Sequence, residues 1–164
     1  MKTGLLYPSI LLANVQSLDN KLDELRSRMV FQRDIKNCNV LVFTETWLDP
    51  LILDSAIVPE GLSIHRQDRT IHSGKSKGGG VCFMVNNKWC SDVEIISTGL
   101  FSGPGAPHDQ MHGLIIFRFT SVVMTSVYVL PHADNNKAMD ELYRSYRQDR
   151  DLTAGGCVYC SRGL

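Results

Sequence analysis

The sequence predicts a layered α/β domain, and three observations carry that expectation. A short apolar run at residues 9–15 ends in an amide side chain, a segment of helical periodicity follows, and a second apolar run closes at residue 44. Strand, amphipathic helix and strand in that order make a layered unit, and the crossover is long enough for the two strands to be sheet neighbours. Several further runs between residues 62 and 130 read as antiparallel strands, which supplies the rest of the sheet structure. The 164 residues suffice for one domain whose folding buries about two thirds of the unfolded surface.

The first strand, Ser9-Ile10-Leu11-Leu12-Ala13-Asn14-Val15, leads to a helix that Ser17 or Asp19 can cap. Leu18, Leu22, Leu25 and Met29 recur at three- and four-residue intervals, with Ile35 added to the packing face six residues further on and charged Lys21, Asp23, Glu24, Arg26, Arg28 and Arg33 on the other faces. Residues 38–44 return as the second strand; its run Val40-Leu41-Val42-Phe43 reads as buried on both faces. A short helix is expected at residues 52–57, stopped by Pro59 and Gly61, and residues 62–66 alternate as a half-buried strand does. Gly74-Lys75-Ser76 imitates a phosphate-binding loop, but Arg69 stands where that motif needs glycine, and the apolar strand at 81–85 follows instead of a helix. The loop is therefore a strand-to-strand connection. Strands follow at 93–97, 114–119 and 122–130, the last two joined by a tight turn. Asp134 or Asn135 caps a helix over 135–148, which completes a domain of residues 1–148. Residues 149–164 lack periodicity and are expected to form an irregular, fraying tail.

Lys plus Arg and Asp plus Glu both number 17, so no global basic field advertises a nucleic-acid partner, and any such binding rests on a local patch. No run approaches the ~18 apolar residues of a membrane span, and residues 1–8 lack the basic start and long apolar core of a signal peptide. The expectation is an intracellular chain, not secreted, without a membrane partner. Five cysteines suit a reducing compartment better than a disulfide framework, and no disulfide-linked partner is expected. Cys38, Cys82 and Cys90 read as small core residues. Cys157 and Cys160 form a lone C-x-x-C, and His108 and His112 follow a Gly/Pro-rich loop, so a four-ligand zinc site is disfavoured.

Four groups of residues can carry chemistry. Glu45 arrives where the buried second strand should stop; a carboxylate there is costly to desolvate unless a cation or a set of donors meets it, which makes it a candidate hard-metal ligand. The competing reading turns it outward into solvent. Asn14 occupies the equivalent end of the first strand. Arg66, Arg69, Lys75 and Lys77, with Gly78-Gly79-Gly80 letting backbone amides approach an oxyanion, suit a phosphate; an ordinary solvated hairpin is the alternative. Tyr128 is the polar tip of its strand and can either reach a ligand or hydrogen-bond in the core.

Asn14 in Leu12-Ala13-Asn14-Val15-Gln16-Ser17-Leu18, Glu45 in Thr44-Glu45-Thr46-Trp47-Leu48, the segment from Arg66-Gln67-Asp68-Arg69 to Gly78-Gly79-Gly80-Val81, and Tyr128 in Val127-Tyr128-Val129-Leu130-Pro131 stand in an order that resembles the N-terminal half of the endonuclease/exonuclease/phosphatase family. The resemblance is nearest to the endonuclease domain of fish non-LTR retrotransposons. It implies a partial four-layer α/β sandwich, a β-sandwich flanked by helices, with the C-terminal half missing. It also implies a Mg2+-dependent cut in a DNA backbone and hence a nuclear location. By the same resemblance Glu45 binds the metal, Asn14 helps hold the phosphate, and Tyr128 lies at the scissile phosphate. The family's later G-D-x-N and S-D-H segments do not occur in this sequence, and residues 99–113 depart from the pattern. The expectation is therefore a truncated endonuclease domain, weakly active or inactive alone. The alternatives are a non-catalytic nucleic-acid-binding or interaction module and, last, a redox or zinc protein built on Cys157 and Cys160.

Overall fold

The computed structural model describes residues 8–68, 78–101, 112–119, 122–129, 136, 140 and 156–162; from residue 96 onward side chains are described only at 124, 125, 136 and 140. The first sheet is built from β1 (Ile10–Asn14), β2 (Val40–Thr44), β3 (Leu62–Gln67) and β4 (Val81–Asn86), in the order β1-β2-β4-β3. β1 runs parallel to β2, whereas β4 is antiparallel to both β2 and β3. The expected strand–helix–strand crossover is thus present, and β3 and β4 form the expected strand-to-strand connection, with Gln67 opposite Val81 at its open end.

Alternation along β2 and β4 divides the core in two. Leu41, Phe43, Cys82 and Met84 face one way and pack with Leu18, Leu22, Leu25 and Ile57 from the helical side. Val40, Val42, Val81, Phe83 and Val85 face the other way and pack with Met124. Each strand is buried on both faces because a different layer covers each face, which is why the sequence reads as unbroken apolar runs.

Met124 belongs to β7 (Val122–Val129) of a second sheet. With β5 (Glu94–Phe101), β6 (His112–Phe119) and β8 (Gly156–Arg162) it forms the order β5-β6-β7-β8. The architecture is accordingly two stacked sheets with helices on the outer face of the first, as expected. One expectation is corrected: residues 156–162, read as irregular tail, form β8 and run parallel to β7 with Val123 opposite Gly156 and Val129 opposite Arg162.

The helical layer differs in detail from its sequence reading. It opens with a single 3-10 turn (Asp19–Lys21), continues as α1 (Leu22–Phe31), breaks at Gln32 in extended backbone, and resumes as α2 (Arg33–Lys36). Neither Ser17 nor Asp19 caps it by a side-chain bond; the Ser17 hydroxyl accepts from Asn20 Nδ2 at 2.8 Å instead. The expected packing face holds at Leu18, Leu22 and Leu25, which are buried. The short helix α3 (Asp54–Ile57) starts two residues later than expected. The helix expected at 135–148 lies outside the described residues except at 136 and 140, which are helical. No helix among the described residues is long and apolar enough to cross a membrane.

Candidate functional site at the ends of the first sheet

Because β1 and β2 are parallel, their C-terminal ends lie side by side, with Asn14 in register with Thr44. The two chains go on pairing past the ladder. The amides of Val15, Ser17 and Leu18 donate to the carbonyls of Thr44, Glu45 and Thr46 at 3.0, 2.9 and 2.8 Å. Following one another this closely forces positive φ on Gln16 (44°), Ser17 (85°), Glu45 (55°) and Trp47 (54°). Non-glycine residues held in this region cost on the order of 1–3 kcal/mol each and cluster at functional sites.

The other flank of residues 44–47 is the glycine run before β4. Thr46 N–H donates to Gly80 O at 3.3 Å and Trp47 N–H to Gly79 O at 3.0 Å. Gly78, Gly79 and Gly80 have φ of 102°, 75° and 87°. At Gly80 a Cβ would stand 2.5 Å from Thr46 Oγ1, so both backbone and space require glycine there.

These contacts decide the environment of Glu45. Its Oε2 accepts from the Trp47 indole Nε1–H at 2.6 Å and from the Gly79 amide at 2.8 Å. The carboxylate is thereby held at a half-buried strand end, where a set of protein donors meets it. Of the glycine amides expected to meet a phosphate, that of Gly79 donates instead to the protein's own carboxylate. Asn14 is exposed and stands one register position from Glu45.

A carboxylate and a side-chain amide oxygen are the hard donors that Mg2+ takes. No group of three His, Cys, Asp or Glu gathers among the described residues. An ion held at Glu45 would therefore keep several waters or take phosphate oxygens, which Mg2+ readily does.

Of the expected phosphate-binding cations, Arg66 is committed elsewhere. Its side chain, 14% exposed, pairs through Nε with Asp54 at 3.0 Å and with Asp68 at 3.4 Å. Its NH2 donates to the carbonyl of Ile52 at 2.6 Å. The reason is positional: β3 carries Arg66 toward the α3 segment, where nearly buried Asp68 needs a counter-charge. Burial pushes the Asp68 carboxyl up from its ordinary range while Arg66 pulls it down, and burial lowers the neighbouring His65 imidazole. Arg69, Lys75 and Lys77 lie outside the described residues. Tyr128 is placed by backbone alone, opposite Gly113 on β6 and Ser161 on β8. Cys38 and Cys82 are buried, as their core reading expects, and burial raises the Cys82 thiol.

One site residue escapes the sequence reading, Trp47, the indole donor to Glu45; Gly79 is expected there as an amide open to phosphate, and its bond to Glu45 is not foreseen. A signal was present. Once Glu45 is assigned to a buried strand end, the indole N–H two residues later is a donor able to satisfy it.

No protein-family model and no curated protein matches the chain. Solved structures do. The 3' phosphatase NExo from Neisseria, bound to a product DNA hairpin, superposes with a TM-score of 0.61 at 17% identity, over 94% of this chain and 57% of that one. The 2',3'-cyclic phosphatase ANGEL2 gives a TM-score of 0.57 at 14% identity, over 92% of this chain and 52% of that one. D. rerio TDP2, complexed with a single-strand DNA product, gives 0.51 at 12% identity, over 94% and 59%. These neighbours share the endonuclease/exonuclease/phosphatase fold, and the mixed α/β architecture described above is that fold. At such identities the likeness is one of fold. The chain spans little more than half the length of each of these neighbours.

Proposed function

We propose that the chain is a nucleic-acid phosphodiester-cleaving domain of the Mg2+-dependent kind, derived from a retroelement DNA endonuclease and weakly active or inactive as these 164 residues alone. The observation that carries the reading is the fixed carboxylate of Glu45, held by Trp47 and Gly79 at the end of the first sheet, one register position along from Asn14. The fold shared with NExo and TDP2, whose structures contain DNA, supports the substrate class. On this reading the site works on DNA inside the cell, in the nucleus where its target lies.

Glu45 would hold the ion, and Asn14 and Tyr128 would orient the phosphate, as the family resemblance implies. Mg2+, when bound, would supply charge to a phosphoryl oxygen and to the leaving oxygen. The chain's own contribution is to hold Glu45 in one rotamer before substrate arrives, so that little reorganisation remains for the reaction. Activation of the attacking water has no assigned residue in this sequence. General acid–base catalysis is typically ~10²–10⁴-fold, so nicking is expected at or near background.

The test is Mg2+ binding by calorimetry and nicking of supercoiled plasmid by the purified chain, each with Glu45→Ala alongside. Weak Mg2+ binding that Glu45→Ala abolishes, with nicking near background, is the expected result. Mg2+ binding unchanged by Glu45→Ala would overturn the metal site. Robust Mg2+-dependent nicking lost in Glu45→Ala would keep the site and overturn the claim of weak activity.

A further inference from the structure

Trp47 is 41% exposed, so hydrophobic burial does not account for its place at the mouth of the site. Its backbone sits at φ 54°, a conformation that side chains other than glycine's disfavour. What this conformation achieves is a short bond. The indole Nε1–H reaches Glu45 Oε2 at 2.6 Å, over a separation of only two residues. The same oxygen takes the Gly79 amide at 2.8 Å, and the Gly79 carbonyl in turn receives the Trp47 amide at 3.0 Å. Trp47 therefore closes a ring with Gly79 around one carboxylate oxygen, bonding to it directly through the side chain and indirectly through the backbone.

We propose that Trp47 is a positioning residue for the metal-holding carboxylate of Glu45. Its indole N–H fixes the carboxylate plane, so that cation affinity at Glu45 depends on Trp47 although the indole supplies no ligand atom. The proposal rests on the reading of Glu45 as the ligand. Hydrogen-bonding partners of ligating carboxylates typically carry about 10- to 100-fold in metal affinity. A phenylalanine at 47 would keep an aromatic ring and lose the donor.

Two measurements test it. In the first, Mn2+ affinity is read from the loss of the free-ion electron paramagnetic resonance signal for the full chain, Trp47→Phe, Glu45→Gln, the double variant, and Trp89→Phe as a tryptophan control. Trp47→Phe is expected to weaken binding by about 10- to 100-fold. Glu45→Gln should weaken it at least as much, and the double variant no further than Glu45→Gln, because Trp47 acts through Glu45. Trp89→Phe should leave the affinity unchanged. Wild-type affinity in Trp47→Phe, or losses that simply add in the double variant, would overturn the inference while leaving the Glu45 site standing. Wild-type affinity in Glu45→Gln would overturn both.

The second measurement needs no substitution at 47, which covers a Trp47→Phe chain that fails to fold. In a 15N-labelled chain, the Trp47 indole N–H resonance should lie downfield, move on Mg2+ addition, and shift upfield in Glu45→Gln, while that of Trp89 stays in place. A Trp47 resonance indifferent to both Mg2+ and Glu45→Gln would overturn the proposal.

Discussion

At the scale of single residues, the site is held by backbone geometry as much as by side chains, and Gly80 shows the cost of changing it. With φ at 87° and a Cβ position 2.5 Å from Thr46 Oγ1, Gly80→Ala meets two penalties at once. The left-handed backbone alone costs an L-residue roughly 1–2 kcal/mol. Thr46 is fully buried and its backbone is bonded to Gly80 itself, so it has little room to retreat. Urea unfolding should show Gly80→Ala destabilised by at least about 1–2 kcal/mol. Thr46→Ala in the same chain should recover part of that loss, since it removes the clash and leaves the φ penalty. A second residue-scale prediction concerns pH. Burial lowers the His65 imidazole below its ordinary 6.5, with Asp54 opposing. The folded chain then binds fewer protons than the unfolded one between the lowered value and 6.5. His65 thus contributes stability that is fully present above 6.5 and is lost as pH falls through the lowered value. Asp68 acts in the opposite sense, because its raised carboxyl favours the folded state toward acid, below its own raised value. Unfolding measured from pH 7.5 down to 5.5 should lose stability in the parent chain, with a shallower slope in His65→Gln.

At the scale of elements, what the sequence reveals is whatever local pattern dictates. β2 was legible because Val40-Leu41-Val42-Phe43 is apolar at every position and both faces are covered. The buried stripe leading into and along α1 was legible because Leu18, Leu22 and Leu25 recur at helical spacing. The break at Gln32 was not, since Arg33, Asp34 and Lys36 are as compatible with continued helix as with a new one. Ser17 reads as a cap from its type, but its φ of 85° follows from pairing with Glu45 on a neighbouring strand, which no local window contains. β8 fails for the same reason: Gly156-Cys157-Val158-Tyr159-Cys160 has no clear alternation and becomes strand by pairing with β7. Likewise Glu45 and Asn14 were legible as polar ends of apolar runs, whereas the commitment of Arg66 to Asp54 and Asp68 depends on tertiary placement. Layering also ranks mutations. Phe83 is 1% exposed and packs between the two sheets, so Phe83→Ala should cost about 3–5 kcal/mol in chemical denaturation. Phe31 is 82% exposed at the end of α1, and Phe31→Ala should stay within about 0.5 kcal/mol.

At the scale of the whole molecule, charge limits how this chain can meet a nucleic acid. With 17 basic and 17 acidic residues, no long-range field draws DNA to the surface, so affinity must come from a few local cations. Arg66 is spoken for by Asp54 and Asp68, which leaves Arg69, Lys75 and Lys77 of the basic loop as the cations to test. Each phosphate contact adds about 0.9 to the slope of log affinity against log salt on duplex DNA. Duplex binding followed by fluorescence anisotropy should therefore be weak, with a slope no steeper than about three such contacts produce. Lys75→Ala with Lys77→Ala should flatten that slope by up to about 2 without altering the melting temperature. Arg66→Ala should do the reverse. It strips the counter-charge from nearly buried Asp68, which costs about 3–5 kcal/mol when a buried pair is broken. Its binding deficit should then track the unfolded fraction, with the salt slope of the remaining folded chain unchanged. A flattened slope in fully folded Arg66→Ala would mean that the guanidinium leaves its carboxylates to meet phosphate.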